Sequence, residues 1–101
     1  MSDADDGGFA APPFRPDEAL AGLRRSLREL GLAERAGVWE RRGTAIARAA
    51  VDGAALAAAV VRKPSRNSPE WQSKTLKNGA DVRDFVADLK RRLAGWSDRD
   101  D

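Results

Sequence analysis

Five cations, Arg62, Lys63, Arg66, Lys74 and Lys77, surround one aromatic residue, Trp71, in the stretch 62–77. Guanidinium and ammonium groups neutralise phosphates, and an indole offers a stacking face to an unpaired base. The sequence therefore predicts these six residues as the contact set for an anionic partner, nucleic acid first among them. Two further cationic groups stand apart along the chain. Arg24, Arg25 and Arg28 share one side of an expected helix, and Arg41 and Arg42 sit at an expected strand turn.

The remaining chemistry-bearing residues support less. Asp81, Asp84 and Asp88 fall on one flank of a helical pattern, where three carboxylates are the donor type for a hard cation. Helix dipole and i, i+4 pairing explain them as well: Asp81 and Asp84 suit an N-terminus, and Asp88 stands three and four residues before Arg91 and Arg92. Ser65, Ser68 and Ser73 lie near Lys63 and Lys74, but a Ser/Lys nucleophile needs a buried lysine of depressed pKa. The chain contains no Cys, His or Tyr, which removes disulfides, thiolate and imidazole metal sites, a cysteine nucleophile and a histidine base. No phosphate-cradling glycine loop occurs. The expectation is thus a non-enzymatic binding module with no catalytic residue, cofactor or metal ligand set, whose partner is nucleic acid or another protein. The competing expectation is a protein–protein interaction or homo-oligomeric assembly domain, using an edge strand, an exposed apolar patch or the tail from Phe9 to Phe14, with the oligomeric state left open.

The formal charge of +2 over 101 residues conceals a segregation. Positions 1–18 hold one Arg against five carboxylates and positions 97–101 one Arg against three, so the middle of the chain carries the basic excess. Such a layout favours association with anions without specifying chemistry. The acidic start MSDADDGG lacks the cationic and apolar regions of a secretory signal, and the longest apolar run, 54–61, falls far short of the roughly 20 residues of a membrane span. The expectation is a cytoplasmic protein without membrane contact.

Positioning these residues requires a scaffold. Residues 1–16 mix Asp, Gly, Ala and Pro without a period and are expected to form a disordered tail, with a second acidic tail at 97–101. Leu20, Leu23, Leu27 and Leu30 make one apolar helical face after Asp17, a candidate cap, and Gly31 ends it. The stretch 36–63 is rich in Ala, a helix former, yet Gly37, Gly43 and the Asp52-Gly53 turn punctuate it, and Val38, Trp39, Ile46, Val51, Val60 and Val61 suit strands. Strands near 37–42, 44–51 and 55–62 are predicted, with an edge strand at 70–77; the alternative is a helix over 44–62 broken at Gly53. Val82, Phe85, Val86, Leu89, Leu93 and Trp96 predict a closing helix from about 80 to 95, capped by Asn78 and Asp81. The fold class that follows is α+β. A single domain at 17–96 is expected: helix, three- or four-stranded antiparallel meander, helix, with both helices on one face of the sheet.

The order helix, three strands, helix resembles that of double-stranded-RNA-binding domains, whose first helix, first strand turn and second-helix N-terminus touch the duplex. The resemblance covers 17–96 as an order of elements. Where that family opens its second helix with a Lys-Lys-x-Ala-Lys run, this chain has Asn78, Gly79, Ala80, Asp81, Val82, Arg83 and Asp84, an acidic stretch. No family membership follows from the sequence.

Overall fold

The computed structural model describes residues 13–99. Helix α1 (Pro16–Glu29) is followed by strands β1 (Ala33–Arg35), β2 (Val38–Arg41), β3 (Thr44–Asp52), β4 (Ala55–Val61) and β5 (Trp71–Leu76), then by helix α2 (Gly79–Arg99). The strands form one antiparallel sheet in chain order, so the fold is α+β with two helices and five strands. The expected three or four strands become five because β1 exists. Its residues, Ala-Glu-Arg, are all exposed and have no strand preference. It is held by its partner, through a two-residue turn in which Ala36 and Gly37 both take positive φ, 54° and 81°.

The Ala-rich segment is a hairpin rather than a helix. Asp52 pairs with Ala55, so the turn residues are Gly53 and Ala54, one position beyond the expected Asp52-Gly53. Only Gly53 of the two has positive φ, 61°, the requirement of a II′ turn. Near β3's other end the ladder shifts register between Trp39 and Glu40. Such a bulge lets neighbouring residues share a face, and the consecutive Ile46 and Ala47 are both buried.

Cross-strand partners assign the two faces of the sheet. Trp39, Ala47, Val60 and Gln72 form one row, and Val38, Arg48, Ala59 and Ser73 the next, on opposite faces. Gln72 is bonded to Arg92 of α2, which sets the first row towards the helices. There, Trp39, Leu56 and Val60 join Leu23 and Leu27 of α1 and Phe85, Leu89 and Leu93 of α2 in a single core. Trp71 and Trp96 are half-buried at its margin.

The helix ends follow from local chemistry. Arg15, not Asp17, occupies the α1 N-cap position and makes no side-chain capping bond; Pro16 begins the helix, where its missing N–H costs nothing, and Asp17 and Glu18 complement the dipole in the first turn. Gly31, at φ 89°, donates to the Arg28 carbonyl at 2.9 Å, and Leu32 donates to Leu27 at 3.1 Å, folding buried Leu32 back onto the helix. At α2, Asn78 Oδ1 accepts the Asp81 N–H at 2.8 Å while Asp81 Oδ2 accepts the Lys77 N–H at 2.9 Å, a reciprocal cap. The helix continues to Arg99, past the expected end near 95. Phe14 is half-buried against the core. Phe9, the rest of 1–12 and Asp100 and Asp101 of the acidic tail lie outside the described residues. No described helix is long and apolar enough to cross a membrane.

Candidate anion-binding site

In a sheet that runs up and down in chain order, successive connections alternate between its two ends. The β2–β3 turn, Arg42-Gly43, therefore shares an end with the β4–β5 loop, 62–70. Arg41, Arg42 and Arg66 line one hollow there, of about 270 Å³, to which Thr44 and Ser65 add hydroxyls. Ile46 and Pro64 complete its wall. Guanidinium forks and hydroxyl donors around a partly enclosed space match the acceptor oxygens of a phosphoryl group.

Each member is placed by a separate feature of the backbone. Arg41 ends β2, half-buried, and its Nη1 donates to the Leu93 carbonyl of α2 at 3.4 Å. Arg42 is exposed and adopts a left-handed φ of 55°. The loop is pinned at its mouth, where the Arg62 N–H donates to the Glu70 carbonyl at 3.0 Å. Inside the loop Ser65 Oγ accepts the Ser68 N–H at 3.1 Å, which leaves the hydroxyl proton for a ligand. Arg62, Lys63 and Arg66 are exposed. Among the described residues, Arg42, Arg62, Lys63 and Arg66 have no ion-pair partner, so no described carboxylate pairs off their charge.

The other two cations of the 62–77 set lie elsewhere. Six residue steps along β5 put Lys77 about 20 Å from Trp71, at the opposite end of the sheet. Lys74 shares a hollow of about 210 Å³ with Asp81, Asp84 and Asp88 of α2, whose carboxylates offset its field. Of the α1 cations, Arg24 is paired with Glu34 at 2.6 Å, while Arg25 and Arg28 are exposed.

Trp71 opens β5 at the arginine-lined end, opposite Val61. It stands on the face away from the helices, because Arg48 of that face lies over its ring with the guanidinium carbon 4.5 Å from the centroid. That distance is within cation–π range.

The α2 carboxylates have structural employment. Asp88 Oδ2 accepts from Arg92 Nε and Oδ1 from Arg91 Nη2, each at 2.7 Å. Burial pushes the Asp88 carboxyl up, but the hydrogen bonds and charge of Arg92, and then of Arg91, outweigh it and hold the group below the ordinary aspartate range. Arg92 extends the network, donating to Gln72 Oε1 at 3.1 Å and to the Val61 carbonyl at 3.5 Å, and so ties α2 to β5 and β4. With Asp81 serving as a cap, no group of three acidic residues among those described converges on a metal position.

Two features of this geometry go beyond the sequence reading: Arg41 and Arg42 meeting Arg66, and Arg48 covering Trp71. The first had a signal in the alternation of hairpin ends that two-residue turns impose. The second needed the β3–β4–β5 register, which sets Arg48 beside Ala59 and Ala59 beside Ser73. No protein-family model, curated protein or solved structure matches this chain.

Proposed function

We propose that the chain is a non-enzymatic binding module that holds a nucleic-acid backbone at the arginine-lined end of its sheet. Arg62, Lys63 and Arg66 act with Arg41 and Arg42; Lys74 and Lys77 belong to a different surface. The observation that supports this reading is the meeting of two connections far apart in sequence on one hollow, lined by Arg41, Arg42 and Arg66. Phosphate oxygens entering that hollow exchange condensed counterions for guanidinium groups, which makes binding steeply dependent on salt. Assembly through an apolar patch draws less support, because Val51 is the one exposed large apolar residue among those described.

The test compares two charge-removal variants in a salt titration of oligonucleotide binding. Changing Arg42, Arg62, Lys63 and Arg66 to Ala is expected to flatten the plot of log K against log salt, by about 0.7 for each phosphate of a single strand that is no longer neutralised. Changing Lys74 and Lys77 to Ala is expected to leave the slope nearly unaltered. Binding that ignores salt, or that responds equally to both variants, overturns the proposal.

A further inference from the structure

We infer that the preferred ligand is a single-stranded polynucleotide, with one base stacked on the outer face of the Arg48 guanidinium, itself seated on Trp71. This inference rests on the nucleic-acid reading above and names the form of ligand that the same end of the sheet accepts.

Three observations carry it. Arg48 is exposed, and its guanidinium carbon lies over an indole, 4.5 Å from the ring centroid, so the ring backs the cation on one side. Planar guanidinium groups stack on unpaired bases as aromatic rings do, whereas an ammonium on a flexible stem does not. The ground beside this guanidinium is flat: a groove of about 440 Å³ runs along the helix-free face past Arg48, Ala57, Ala59, Ser73 and Thr75. From Trp71 to Thr75 that floor extends about 13 Å, and Ala57, Ala59, Ser73 and Thr75 raise no side chain larger than Thr from it; Lys74 also lines the groove, but strand alternation turns its side chain to the other face. Finally, Trp71 directly follows the loop that carries Arg66, so a strand whose phosphates sit in the arginine hollow arrives with its bases beside Arg48. A duplex keeps its bases paired and stacked inside, and cannot offer one to Arg48 without unpairing it.

The experiment measures the affinity of the full chain for short oligothymidylate, oligouridylate, an abasic strand with the same number of phosphates, and a duplex, at several salt concentrations. Base-bearing single strands are expected to bind about tenfold or more tightly than the abasic strand. Arg48→Lys keeps the charge and lies on an exposed position, so it avoids the risk that Trp71→Ala fails to fold. It is expected to abolish that tenfold preference while leaving the salt slope unchanged. The tighter of the thymidylate and uridylate strands tells DNA from RNA, and either result supports the inference. Equal affinity for abasic and base-bearing strands, a duplex bound as tightly as single strands, or a preference that survives Arg48→Lys overturns the inference while salt-dependent binding keeps the broader reading. Failure of every strand to bind overturns both.

Discussion

Replacing Arg42 by Asn separates backbone strain from charge, because Arg42 holds φ 55° in its two-residue turn with Gly43 at φ 79°. The left-handed region costs an ordinary L-residue roughly 1–2 kcal/mol, and Asn, which hydrogen-bonds locally there, avoids much of it. The Arg42 side chain is exposed, so the exchange sacrifices no core packing. A gain of roughly 1 kcal/mol is expected, raising Tm by about 4–8 °C for a domain of this size. Ala36→Asn is the matched control: Ala36 has φ 54° in an equivalent turn with Gly37 but stands away from the arginine hollow. Both variants should therefore melt higher, followed by circular dichroism. Only Arg42→Asn should weaken single-strand binding and reduce its salt slope, by about 0.7. A lower Tm for both would refute the strain argument. Equal binding by the two variants would remove Arg42 from the site.

The Asp88 network predicts a pH signature. The folded-state pKa of Asp88 is depressed, so its contribution is full above the ordinary aspartate range and disappears as pH falls through the lower folded value. Asp88→Asn should lower stability by roughly 1 kcal/mol near neutrality, and denaturant titrations of the two proteins should converge in acid; a gap that stays constant with pH would contradict the assignment. At the start of α2, Asn78→Ala should cost about 1 kcal/mol and Asn78→Ser much less, since Ser can still accept the Asp81 N–H. Equal melting of these two variants would show that the cap carries no weight.

Wherever a feature depends on neighbours in sequence, the chain by itself determined it. Leu23 and Leu27, and Phe85, Leu89 and Leu93, are buried at the spacing a helix imposes. Asn78 and Asp81 cap each other, Asp88 meets Arg91 and Arg92 one turn on, and Gly53 reverses the chain within one position of where Asp-Gly marks it. Strand β1 has no such local signal, because three exposed residues of low strand preference form a strand only when β2 lies alongside. The same limit governs the site. Arg41 and Arg42 stand more than twenty positions before Arg66, and only the alternation of hairpin ends brings them to one hollow. Lys74 follows Trp71 closely in the chain, yet strand alternation turns it to the opposite face, beside carboxylates. Charge and aromatic content could be read from the sequence, but which cations act together was decided by the sheet, since pairing register sets both the face and the end at which each side chain emerges.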